Sequence, residues 1–280
     1  MRQEILTVCC GLMLGHAWAA AGEAKSGESV PPPMYRVETA GFDSSEADIR
    51  AVLDSTSRAL WQFFPEHKIG PIVVTRGHNG PITLYQRTDR GEIVIRLDTE
   101  KTFWCQYAYQ FAHEFCHVLC GYRDGYQGNK WFEETLCETA SLYAMQAMSR
   151  SWKKSPPYPN WKDYRDSLRD YVDDVIRKRD KVYEVYAVGL PTFYHNHQAE
   201  LEKEPASRDL NGAMSIVLLQ LFEEQPERWE SVRWLNHSPA PPGESFSAYL
   251  QRWHDAVPAK HRGFVKKVAE LYGVGIKSEG

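Results

Sequence analysis

The strongest constraint on this chain is one short segment, His113-Glu114-Phe115-Cys116-His117, set in an uncharged stretch. The pattern from Phe103 to Leu119 predicts a helix ending at Gly121. On a helix, residues four apart lie about 40° apart on one face, one turn above the other. His113 and His117 can therefore share one metal ion. Glu114 is turned by about 100° from His113, so it can reach a metal-held water as a general base rather than serve as a ligand. Zinc suits such a site, because it takes nitrogen and oxygen ligands and leaves a fourth position open. Phe115, Cys116, Val118 and Leu119 carry no charge, as a half-buried helix of this kind requires.

The remaining composition bounds the partners. The chain has 280 residues, 42% of them hydrophobic, and a formal net charge of -4. That size fits one substantial domain. With no basic excess, neither nucleic acid nor an anionic membrane surface is an expected partner. Residues 1–21 read as a signal peptide: Arg2, an apolar run from Ile5 to Leu14, then Ala17-Trp18-Ala19 as a small-x-small cleavage site. The apolar run is too short for a stable membrane anchor. The expectation is export, to a periplasm or the extracellular space. Residues 22–34, with three prolines, read as a linker. Beyond the leader, Cys105, Cys116, Cys120 and Cys137 remain. Cys116 and Cys120, one helical turn apart, are poorly placed for a bridge. The open alternatives are Cys137 bridged to Cys105 or to Cys120, or four buried free thiols.

A zinc site needs a third protein ligand. After His117 the chain reads VLCGYRDGYQ, with no further histidine at short spacing. A second helix, Lys130 to Met148, opens instead with Trp131-Phe132-Glu133-Glu134-Thr135-Leu136-Cys137-Glu138. Over residues 92–145 the chain resembles the gluzincin clan of zinc metallopeptidases, the thermolysin-like and M1 aminopeptidase-like enzymes. Their third ligand is a glutamate on the next helix, and Trp131-Phe132-Glu133-Glu134 is similar to the M1-type opening with Glu134 as ligand. Gly121 falls where that family has a glycine. Glu133 competes with Glu134, but Glu134 and Glu138 are four apart and share a face. The resemblance then implies that Glu138 accepts a hydrogen bond from a zinc-bound histidine. It further implies a downstream tyrosine or histidine that stabilises the oxyanion, for which Tyr194 is first choice and His195 second. It also implies that the strand Glu92 to Leu97 lies on the sheet edge and pairs with an extended substrate. The Gly-x-Met-x-Asn segment of M1 aminopeptidases does not precede His113. Asn211-Gly212-Ala213-Met214 is only superficially like it and comes after the metal motif.

The expected fold is α+β, a mostly helical zincin-like domain with a small N-terminal mixed sheet. It spans residues 35–280, with an α/β lobe over 35–98 and a helical lobe over 99–280. Runs at Tyr35 to Ala40, Pro71 to Thr75, Ile82 to Arg87 and Glu92 to Leu97 predict strands. Helices are expected after Asp43, over Trp161 to Arg177, Ala206 to Glu223, Phe246 to Ala256 and His261 to Tyr272. The resulting expectation is a zinc-dependent metallopeptidase with a peptide or protein substrate. Its site would be His113, His117 and Glu134 on Zn2+, Glu114 as base and Glu138 behind. The rival readings are a non-catalytic zinc- or peptide-binding protein on the same fold, a zinc amidase acting on a cell-wall amide, and a helical scaffold in which the histidine pair is accidental.

Overall fold

The computed structural model describes residues 33–124 and 128–277. The leader and most of the linker lie outside the described residues. Four short strands come first: β1 (Tyr35–Val37), β2 (Ile72–Arg76), β3 (Ile82–Thr83) and β4 (Ile93–Leu97). They form one mixed sheet in the order β1-β2-β4-β3. β1, β2 and β4 run parallel, with Ile72 opposite Ile93 and Arg76 opposite Leu97. β3 is antiparallel to β4 and forms one edge, with β1 at the other. The strand over Glu92 to Leu97 is therefore not the edge. β4 is bonded on both sides, as its buried Ile93, Ile95 and Leu97 require, and the two edges belong to β1 and β3, of which β3 packs on α2.

Nine α-helices complete the described residues: α1 (Glu46–Trp61), α2 (Trp104–Leu119), α3 (Lys130–Trp152), α4 (Tyr164–Arg177), α5 (Lys181–Val188), α6 (Leu190–Lys203), α7 (Arg208–Glu224), α8 (Phe246–Ala256) and α9 (Ala259–Leu271). The class is α+β, dominated by helices, with a small mixed sheet. α1 starts where Ser45 caps it, its side chain accepting from the Asp48 amide at 3.1 Å. α3 is buried around almost its whole circumference and packs against α1, α2, α4 and α7. A helix buried on nearly every side belongs at the centre of a domain, and α3 is that central helix. One hydrophobic core runs from the sheet through α2 and α3 to α9. No helix among the described residues is long and apolar enough to cross a membrane.

The end of α2 sets the direction of the site. Gly121 takes φ +69°, which a residue with a Cβ adopts only at a cost. The Gly121 amide donates to the Val118 carbonyl at 3.2 Å and the Tyr122 amide to the His117 carbonyl at 3.1 Å. This paired cap closes the helix and reverses the chain. Tyr122 then folds back, and its hydroxyl donates to the Leu84 carbonyl at 3.1 Å.

His67 packs against the rings of both Trp61 and Phe64, and its Nε2 has no hydrogen-bond partner. Burial, with a smaller contribution from Arg233, pulls its pKa down from 6.5 to about 4. The unfolded chain therefore binds the proton more readily than the fold does. Stability present above pH 6.5 is lost as pH falls from 6.5 towards 4. Thermal unfolding between those limits should show a slope that His67→Leu flattens.

Candidate metal centre

α2 and α3 lie side by side, and their facing surfaces hold the polar groups of the interior. His113 and His117 stack edge-to-face on α2, with ring centroids 5.1 Å apart. Glu133, Glu134 and Glu138 meet them from α3. All three glutamates are buried, which charged groups tolerate only when paired or bound to metal.

Each carboxylate has its own task. Glu134 Oε2 lies 3.1 Å from His113 Nε2 and 3.6 Å from His117 Nε2. Glu133 Oε1 lies 2.5 Å from His117 Nδ1, and Glu138 Oε1 lies 3.6 Å from His113 Nδ1. Both Nδ1 atoms thus face a carboxylate that can accept their proton, which leaves both Nε2 lone pairs turned towards Glu134. Glu133 and Glu138 are themselves held. Asn236 Nδ2 donates to Glu133 Oε2 at 2.7 Å, and Tyr249 backs the Asn236 side chain. Arg179 Nη2 donates to Glu138 Oε2 at 2.5 Å, and the Tyr109 hydroxyl donates to the same oxygen.

The electrostatics favour a cation between the rings. Four of the carboxylates that line the cleft, Glu114, Glu133, Glu134 and Glu138, come from α2 and α3. Among them Lys130 is paired with Glu134 and Arg179 with Glu138. Lys178, Arg208 and Asp209 line the same cleft, so five acidic and four basic side chains leave one negative charge when both imidazoles are neutral. Burial works against charge on the rings. Even so, the hydrogen bond to Glu134 and the nearby carboxylates raise His113, and those to Glu133 and Glu134 raise His117 strongly. Burial would raise Glu134, but its bonds to the two imidazoles hold it far below the usual carboxylate range.

His113, His117 and Cys137 also form a group that could hold a metal ion, their ligand atoms lying within 4.8 Å of one another. Glu134 and Cys137 therefore compete for the third position. Cys137 is completely buried among Cys116 and Cys120, whose sulfurs are 3.9 Å apart and which both hydrogen-bond to it. Burial pushes the Cys137 and Cys120 thiols well up, which disfavours the thiolate that would bind metal. Glu134, held ionised by the two imidazoles, opens on the cleft, which Cys137 does not line. The four cysteines among the described residues are free thiols. Cys105 bonds Tyr164 and Ser167 from the start of α2, which rules out the Cys105 pairing with Cys137.

Glu114 projects to the other side of His113. The Thr83 hydroxyl, from edge strand β3, is 2.8 Å from Glu114 Oε2 and 3.1 Å from the Glu114 carbonyl. The open side of the centre is a cleft of about 610 Å³, within the usual range for a substrate site. β3 forms one wall and α4 and the start of α7 the other, with Tyr85, Tyr109, Tyr122 and Tyr171 among the lining residues.

No family model matches the chain, and no curated protein or solved structure matches it.

Five of the seven residues expected at the site, His113, Glu114, His117, Glu134 and Glu138, meet in this cleft. Tyr194 and His195 do not. The FYHNH segment belongs to α6, not to a loop over the site. Tyr194 is buried in an aromatic cluster, its ring 5.2 Å from Trp131 and 5.3 Å from Phe246. His195, the next residue of that helix, is exposed, and neither residue lines the cleft. Stacking decides the outcome for Tyr194: its ring completes the core between α3, α6 and α8. Thr83, Arg179 and Asn236 have no local sequence signal, because each is distant along the chain from the side chain it holds.

Proposed function

We propose that the chain is a zinc-dependent metallopeptidase of gluzincin type, on a zincin-like fold. One observation carries the reading: a single Glu134 oxygen faces both Nε2 atoms while separate carboxylates occupy both Nδ1 atoms. Ligand atoms about 2 Å from one tetrahedral ion lie about 3.3 Å apart, and the 3.1 and 3.6 Å separations bracket that value. His113, His117 and Glu134 would hold the zinc. When bound, zinc supplies Lewis acidity that lowers the pKa of a water and polarises a peptide carbonyl.

The protein's own groups do the rest. Glu114 takes the proton from the attacking water and passes it to the leaving amine, and Thr83 fixes the direction of its carboxylate. The free edge of β3 offers main-chain groups to an extended peptide. Tyr171 takes the oxyanion role in place of Tyr194: it lines the cleft from the helical side, and its hydroxyl makes no hydrogen bond among the described residues.

The test is metal analysis coupled to a peptide-library assay on the purified protein. About one zinc per chain is expected, with hydrolysis lost on chelation and restored by added zinc. Protein that takes up no zinc on reconstitution would overturn the proposal.

A further inference from the structure

Arg179 lies outside every motif of the sequence, in the turn between α4 and α5, yet its side chain is buried against the metal-binding helices. Nη1 donates to the Gly212 carbonyl at 2.8 Å and to the Ser215 hydroxyl at 3.0 Å, both on α7. Nη2 donates to the Tyr109 hydroxyl on α2 at 2.7 Å and to Glu138 Oε2 on α3 at 2.5 Å. One planar fork thus ties three helices together, a task lysine cannot repeat.

α7 is shaped to admit it. A Cβ on Gly212 would sit 2.6 Å from Nε, 2.7 Å from Cζ and 2.9 Å from Cδ of Arg179. Any other residue at 212 would push the guanidinium off its four acceptors. A mid-helix glycine costs helix stability, and Gly212 has a packing reason to be there. It leaves room for the arginine rather than contacting a substrate amine.

We infer that Arg179, seated by Gly212, is a positioning residue for the metal centre, acting through Glu138 on His113. The two Glu138 oxygens are divided. Oε2 is taken by Arg179 and Tyr109, so only Oε1 remains for His113 Nδ1. With Oε2 anchored, the carboxylate cannot rotate, and the His113 ring is held with Nε2 towards Glu134. The inference rests on the metal reading of the centre given above, and it extends the supporting shell to a residue 66 positions from His113.

The test is zinc and cobalt affinity by chelator competition on the full protein, with the visible spectrum of the cobalt form as a geometric readout. Arg179→Met and Gly212→Ala should each weaken binding about 10–100-fold, the usual cost of losing an outer partner, and shift the cobalt bands. Arg179→Lys should recover part of the loss. In a Glu138→Gln background, Arg179→Met should cost little more, because the two act as one unit. Tyr109→Phe, which keeps the arginine, is the second probe should Arg179→Met fail to fold, and it should give a smaller change in the same direction. Unchanged affinity and spectrum in folded variants, or full additivity with Glu138→Gln, would overturn the inference. Wild-type protein that binds neither ion would instead remove the metal reading itself.

Discussion

Glu114→Gln should lower kcat for peptide hydrolysis by at least about a hundredfold, the lower end of what a general base contributes, and leave zinc content unchanged. The amide is nearly isosteric with the carboxylate, and its carbonyl oxygen can still accept from Thr83, so the α2–β3 contact survives. It cannot take a proton from water. The metal side of the centre is untouched, because the Glu114 side chain meets β3 while the ligand atoms meet between α2 and α3. Thr83→Val should give a smaller loss in kcat at constant zinc content, since the carboxylate stays ionisable but loses its orientation. Loss of both zinc and activity in Glu114→Gln would make Glu114 a ligand and remove the base from the scheme.

Legibility divided along the range of the interactions. The helix that carries His113 and His117 could be read because its signal is local: two histidines at one-turn spacing with uncharged neighbours. α3 announced itself in the same way, through the acidic cluster at its start. Glu133 and Glu134 show where local reasoning stops. Helical spacing favours Glu134 and Glu138 as one face, and Glu134 does meet both Nε2 atoms. Glu133, adjacent to it, could equally be a solvated residue at a helix start. It is buried because Asn236, more than a hundred positions away, completes its hydrogen bonds. The edge strand was misread for a related reason. Periodicity identifies a strand, but neighbours in a sheet are set by topology, and β3 is only two residues long. α5 and α6 gave no helical pattern because Gly189 and Pro191 interrupt the run and their buried faces are narrow. Arg179 is the extreme case. Nothing in the sequence around it indicates burial, and its partners come from three other helices.

The adjacent glutamates should separate in a metal-binding experiment. Glu134→Gln should leave the protein substantially zinc-free under conditions where the wild type is fully loaded. The change replaces an anionic oxygen facing both Nε2 atoms by a neutral amide, a poor zinc ligand. It also removes one negative charge from the carboxylates grouped around the two imidazoles. Glu133→Gln should retain zinc with affinity lower by about 10–100-fold, because it acts on His117 through Nδ1 and touches no open ligand position. The amide can still accept from the ring, so the tautomer is preserved while the charge is lost. Cys137→Ser completes the set, since Cys137 is the other group within metal range of both histidines. With Glu134 as ligand, the serine variant should bind zinc as the wild type does. Zinc lost from Cys137→Ser and kept in Glu134→Gln would move the third ligand to the buried thiol. That ligand lies away from the open cleft, and the centre would then be better suited to holding an ion than to hydrolysing a peptide.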